Sequence, residues 1–169
     1  MNRCQLSIVN CQLGIMSQKA DWWYYQSGVL PYRLGCGETS NSDIEILLIT
    51  SRKRKHWVIP KGIVEPSMHP QESAIKEAFE EAGIKGNLAH TAIGVYAYQK
   101  WSGTCRVEVF PFEVTTELQE WPESEFRTRE WMSLEEAVNR VREDALKGLL
   151  RKLPEYINRK DDNTQGKKM

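Results

Sequence analysis

The run Lys76-Glu77-Ala78-Phe79-Glu80-Glu81-Ala82-Gly83 constrains this chain more than any other segment. It reads as the end of a helix. Pro70 suits the first turn, Gly83 is a C-terminal stop, and Ala74, Ile75, Ala78, Phe79 and Ala82 recur at helical spacing as a predicted buried stripe flanked by Glu77 and Glu81. Three carboxylates then crowd the partially negative end of the helix dipole. Glu77 neighbours Glu80 and Glu81 at three and four residues, and each such like-charged pair costs roughly 0.2 to 0.5 kcal/mol on an isolated helix. Lys76 reaches Glu72 behind it and Glu80 ahead, yet one ammonium does not neutralise the cluster. A fold containing this helix has to bring a cation to it, and a bound divalent metal would serve.

The rest of the chain supplies a scaffold for one domain. Gly28 to Leu34 and Ile44 to Thr50 are rich in branched and aromatic residues and predict a strand pair across the turn chemistry of 35–43. A short strand at Trp57-Val58-Ile59 is expected to stop at Pro60-Lys61-Gly62, with a loop to Ser67 before the acidic helix. Strands are expected over Leu88 to Gln99, Cys105 to Val114 and Arg129 to Met132. Ser133-Leu134-Glu135-Glu136 is a capping box opening a helix toward Arg142, and Ala145 to Leu153 predicts another short helix. The expected organisation is a disordered extension over 1–20, with Met16 as an alternative start, a domain over 21–155, and a disordered basic tail over 156–169. At 169 residues and 40% hydrophobic content, one core is the natural outcome.

Charge and cysteine usage narrow the function classes. Basic and acidic residues number 23 each, so no global field attracts nucleic acid or membrane, and binding must come from local patches. No apolar run reaches the ~18 residues that a membrane span requires. Cys4, Cys11, Cys36 and Cys105 have no zinc-ligand spacing, which fits a reduced, cytoplasmic protein.

Gly62 together with Lys76-Glu77-Ala78-Phe79-Glu80-Glu81-Ala82-Gly83-Ile84 resembles the Nudix box, G-x5-E-x7-R-E-U-x-E-E-x-G-U with U aliphatic. Six positions fall in register: Gly62, Glu77, Glu80, Glu81, Gly83 and Ile84. Met68 stands where the pattern has its first glutamate, and Lys76 replaces its arginine. Ile59-Pro60-Lys61-Gly62, Val64-Glu65-Pro66, Gly94-Val95-Tyr96, Glu120-Trp121-Pro122-Glu123, Arg129-Glu130-Trp131 and Glu135-Glu136-Ala137 extend the resemblance to the diphosphoinositol polyphosphate and diadenosine polyphosphate branch, over Gly28 to Leu153. That branch tends to carry basic residues before its first core strand, where this chain has Trp22-Trp23-Tyr24-Tyr25-Gln26.

The resemblance implies a Nudix α/β/α sandwich with a mixed sheet between helices. It implies an Mg²⁺-dependent pyrophosphohydrolase, with Mn²⁺ as an alternative ion, acting on a small-molecule polyphosphate. Glu77 and Glu81 would bind metal, assisted by Glu80 and the carbonyl of Lys61 or Gly62. The general base would be Glu80 or Glu77, with Glu80 the choice made here. A further carboxylate would come from Glu123 or Glu125. Lys76 would orient the carboxylates, as a point charge and not as a bidentate fork, and Glu65 is expected to compensate for Met68. Lys61, Arg52, Arg54 and Arg106 are the candidate phosphate-binding residues, as a monomer or a homodimer.

Other readings compete. The acidic helix taken alone fits a solvated charged face, and Ser51-Arg52-Lys53-Arg54-Lys55-His56 fits an exposed turn as well as a phosphate-gripping rim. Arg106, Arg127 and Arg129 are weaker phosphate-gripping candidates that fit strand-edge solvation as well, while His69 reads as a helix cap and the tryptophans as packing. Within the same fold, cleanup of nucleoside triphosphates or nucleotide sugars is an alternative activity. A ligand-binding module without turnover, motivated by Met68 and Lys76, and an RNA partner bound through the basic tail are the alternatives from other classes.

Overall fold

The computed structural model describes residues 23–35, 44–53, 55–100 and 103–165. The extension expected over 1–20, the turn at 36–43, Arg54 and the last four residues of the tail lie outside that range.

Eight strands form one mixed sheet. β1 (Trp23–Leu34) lies at its centre, parallel to β7 (Gly103–Glu117) over ten residue pairs from Trp23↔Thr104 to Tyr32↔Glu113. On its other edge β1 pairs antiparallel with two strands in turn: its first half with β4 (Lys61–Ile63), its last residues with β2 (Ile44–Thr50). β2 also holds β3 (Trp57–Val58) and β8 (Arg129–Ser133), while β7 holds β5 (Ile84–Leu88) and β6 (Gly94–Lys100). Helices cover both faces. This is the mixed sheet between helices that the resemblance implies, and it leaves β1 covered on both faces along its middle. Val29 enters one core with Phe110 and Phe112, whereas Leu30 and Tyr32 enter the other with Val107 and Val109.

Helix α1 (Pro70–Ala82) covers the first face, as its amphipathic spacing and terminal residues predict. The second face is covered by α2 (Leu134–Arg140) and α3 (Asp144–Gln165). Ser133 Oγ accepts the Glu136 N–H at 3.2 Å, the expected cap of α2.

Three expectations are corrected. The strand predicted over Leu88 to Gln99 is two strands, because residues 89–93 leave the ladder and their backbone turns to Pro111 and Val109 of β7. Lys61–Ile63 is paired strand, not loop: Val29 donates to the Pro60 carbonyl at 3.0 Å, and a Cβ on Gly28 would lie 2.7 Å from Lys61 Cβ. As far as Gln165, the tail expected to be disordered from 156 is instead the second half of α3. Pro154 costs roughly 3 kcal/mol in a helix interior. Leu153 and Ile157 are both buried and each contributes roughly 1.5 to 3 kcal/mol. The stripe Leu146, Leu149, Leu150, Leu153, Ile157 therefore carries the helix through the proline, and truncation after Glu155 would remove core rather than a tail.

Candidate active site

The stripe of α1 that meets the sheet keeps Ala74, Ala78 and Ala82 of the predicted one but not Ile75 and Phe79. Ser73, Ala74, Ala78, Glu81 and Ala82 are buried, whereas Ile75 is 48% and Phe79 38% exposed. Small side chains let the helix lie close to β1 and β4, and that rotation carries the carboxylates inward. The large apolar residues are left at the rim, Phe79 with Lys85 Nζ 5.9 Å from its ring centroid.

Turned inward, two glutamates meet the backbone of β4. Glu81 Oε2 accepts the Lys61 N–H at 2.9 Å. The Glu77 carboxylate rests on Gly62, where a Cβ would stand 2.0 Å from Glu77 Oε1. Only glycine leaves room for it there. Burial, followed by the charges of Glu81 and Glu80, pushes the Glu77 carboxyl from 4.5 up to about 7, against the pull of Lys76. Burial also raises Glu81, opposed by Arg127 and the Lys61 N–H. Glu80 is half-buried, and its carboxylate, like that of Glu77, makes no hydrogen bond or ion pair among the described residues.

The end of α1 is closed by the segment after β7. Four successive carbonyls find donors: Glu80 O takes the Glu123 N–H at 3.1 Å, and Glu81 O takes Trp121 Nε1 at 3.2 Å. Ala82 O takes Arg129 Nη1 at 2.6 Å, and Gly83 O takes the Leu118 N–H at 2.8 Å. Gly83 itself adopts φ 64° and donates to Phe79 O. Arg129 lies over the Trp121 ring at 4.2 Å. Arg127 pairs with Glu81 Oε1 and bonds Glu123 Oε2 at 2.5 Å. The cation that the acidic run demands is thus supplied in part by the protein. Arg127 and Arg129, which fit strand-edge solvation in the sequence, are part-buried partners of this helix.

Lys76 does not pair with Glu72 or Glu80. Its Nζ lies 2.7 Å from Glu65 Oε1, and that hydrogen bond raises its pKa, while Glu72 accepts the His69 N–H at 2.9 Å to cap the helix. Lys61 passes over Gly28 toward Tyr98, its Nζ 5.5 Å from that ring, and burial lowers its pKa against the charge of Glu81. Arg52 is brought to the site's edge, 3.7 Å from Glu123 Oε1 and 4.7 Å from the Phe126 ring. Lys55 bonds the Phe126 carbonyl from the same turn. Arg106 stands in β7 between Tyr25 and Ala97, with no bond to the helix glutamates among the described residues, and Glu125 is exposed.

No three His, Cys, Asp or Glu side chains among the described residues are gathered as a ready-made metal cage. The donor set nevertheless suits a hard divalent ion: carboxylate oxygens of Glu77 and Glu81 beside the backbone of Lys61 and Gly62, in a cradle that a Cβ would fill.

Comparison with known proteins bears on the family and the fold. The NUDIX domain family model matches residues 35–153. Nudix hydrolase 12, mitochondrial, of Arabidopsis thaliana is 33% identical over 152 residues, spanning 80% of this chain and 73% of that one. Diphosphoinositol polyphosphate phosphohydrolase 3-alpha of Mus musculus is 35% identical over 105 residues, 61% of this chain and 63% of that one. Among solved structures, a C. elegans Ap4A hydrolase binary complex superposes with a TM-score of 0.65 at 24% identity, covering 80% of this chain and 98% of that one, a likeness of fold.

Proposed function

The chain belongs to the Nudix hydrolase family, and from that premise we propose that it is an Mg²⁺-dependent pyrophosphohydrolase of small polyphosphorylated metabolites, dinucleoside polyphosphates or diphosphoinositol polyphosphates. The observation that carries the reading is the Glu77 carboxylate seated on Gly62 beside Glu81. A merely solvated acidic face would turn these side chains outward.

In this reading Glu77 and Glu81, with the Gly62 carbonyl, hold the ion. Bound there, Mg²⁺ or Mn²⁺ would neutralise phosphate oxygens and lower the pKa of a coordinated water. Glu80 takes the water's proton. Its carboxylate, like that of Glu77, makes no hydrogen bond or ion pair among the described residues, but unlike Glu77 it is not seated against Gly62. Lys76, tied to Glu65, holds the outer side of the helix, a pairing that supports Glu65 as compensation for Met68. Lys61 and Arg52, with Arg54 and Arg106, receive the substrate phosphates. No described helix is long and apolar enough to cross a membrane. A cytoplasmic location remains part of the proposal, and fractionation tests it, since Nudix hydrolase 12 carries a mitochondrial designation.

The test is turnover of a phosphoanhydride panel with and without Mg²⁺, products being read by phosphorus NMR. Phosphate release abolished by EDTA, by Glu80→Gln and by Glu81→Gln is expected. Tight ligand binding without turnover across the panel would establish a binding module instead.

A further inference from the structure

The buried guanidinium of Arg127 has no part in the roles assigned above, yet all three of its nitrogens are committed. Its side chain is 7% exposed. Nη2 pairs with Glu81 Oε1, Nε bonds Glu123 Oε2 at 2.5 Å, and Nη1 donates to the Thr50 carbonyl at 3.0 Å. Thr50 is fixed in turn: its N–H donates to the Thr128 carbonyl at 2.9 Å, and the Thr128 N–H donates to Thr50 Oγ1 at 2.9 Å. The guanidinium therefore spans α1, the turn after β7 and the end of β2.

We propose that Arg127 is a positioning residue of the reaction, setting the carboxylate plane of Glu81 and coupling Glu123 to the helix glutamates; the assignment rests on the metal-dependent reading above. A glutamate side chain has three torsions, and the Lys61 N–H holds only one of the two Glu81 oxygens. With that single bond the carboxylate swings about Oε2. A second bond at Oε1 stops the swing and leaves one lone pair on each oxygen for an outside ligand. Glu123 is caught by the same fork while its backbone N–H holds Glu80 O, so the downstream turn moves as one piece with the acidic end of the helix. Lysine cannot reproduce this, because an ammonium offers no planar fork to span two carboxylates and a carbonyl.

Mn²⁺ uptake by the substrate-free protein, followed by electron paramagnetic resonance, separates positioning from two simpler roles. A cation beside the site that only competed with metal would, once removed, leave Mn²⁺ bound more tightly; a mere strut would leave its affinity unchanged. Arg127→Lys keeps the charge and loses the fork. We expect its Mn²⁺ dissociation constant to rise at least fivefold, the bound-Mn²⁺ spectrum to broaden, and kcat to fall with substrate KM within twofold of wild type. Glu123→Gln, which leaves the Arg127–Glu81 pair in place, should loosen Mn²⁺ in the same direction. The double variant should be no worse than the poorer single one. Folded Arg127→Lys and Arg127→Met proteins that bind Mn²⁺ as well as or better than wild type overturn the assignment, as do fully additive effects. Should both arginine variants fail to fold, Glu123→Gln decides, and unaltered Mn²⁺ binding there overturns it. Wild-type protein that takes up no Mn²⁺ defeats the metal reading and this assignment together, a result distinct from variants that match wild type.

Discussion

Replacing Glu77 by glutamine should abolish activity and yet stabilise the metal-free fold. The carboxyl is pushed from 4.5 up to about 7 by burial and by Glu81 and Glu80. Its folded-state affinity for a proton exceeds its unfolded one, so between pH 4.5 and about 7 the native protein holds more protons than the unfolded chain, and stability falls as pH rises through that window. The gap corresponds to roughly 3 kcal/mol at 1.36 kcal/mol per pH unit. Glu77 is only partly buried, and solvent screening reduces the expected effect to about 1 to 2 kcal/mol. Glutamine has the same shape and no charge at any pH. Urea unfolding in EDTA should therefore show Glu77→Gln more stable than wild type by that amount at pH 8, with the gain fading as pH falls to 4.5. Saturating Mg²⁺ should reverse the order, because ligand at a hundred times its dissociation constant contributes about 2.7 kcal/mol to a protein that binds it. A variant less stable than wild type in EDTA at pH 8, or a gain that ignores pH, would refute the reasoning.

Four further outcomes are expected. Gly62→Ala would place a Cβ on the Glu77 carboxylate, the movable end of a side chain, so unfolding free energy should change by less than about 1 kcal/mol while Mg²⁺-dependent kcat falls at least tenfold. Gly83→Ala combines a left-handed φ of 64° with a Cβ 2.6 Å from Trp121 Cβ, and should cost about 2 to 4 kcal/mol in urea unfolding. Arg129→Met strips donors from the Ala82, Gly83 and Leu118 carbonyls; a loss of about 2 to 4 kcal/mol is expected, and no change would mean that water replaces the cap fully. Glu65→Gln should lower turnover several-fold with an unchanged melting temperature, since the Lys76 pair is solvent-exposed, and unaltered turnover would remove Glu65 as the compensation for Met68.

The ends of α1 are legible in the chain, whereas what packs against an element depends on partners distant in sequence. Pro70 and Gly83 bound α1 because proline at the first turn and a left-handed glycine after the last are properties of the helix itself. Which side of that helix is buried depends on its partner. Ile75 and Phe79 are the more hydrophobic candidates, but the surface offered by β1 and β4 admits alanines and serine at close range and gives the carboxylates backbone groups to meet. Pro60-Lys61-Gly62 carries turn residues and reads as an interruption, yet β1 lends it pairing partners at Gln26, Ser27 and Gly28. The helix expected over Ala145 to Leu153 runs on past Pro154, because the value of Leu153 and Ile157 to α3 depends on the β-sheet face beneath them.

The charge imbalance on α1 follows the same logic at longer range. Residues within a helical turn supply one ammonium, which leaves a deficit that reads as a demand for metal. The structure divides the demand: Arg127, 46 residues further along the chain, meets Glu81, and Arg129 meets the carbonyl end of the helix. Neither pairing is periodic, so no local pattern announces it. A usable signal was the pair of arginines at two-residue spacing beside Trp121 and Trp131 in a chain that has carboxylates to spare near its middle. What remains after Arg127 is served is an unpaired carboxylate at Glu77, half-buried, raised in pKa and pressed onto a glycine. Folding alone gains nothing from that arrangement, since an alanine stripe could continue through position 77, and a carboxylate held at such a cost is explained by a ligand that repays it.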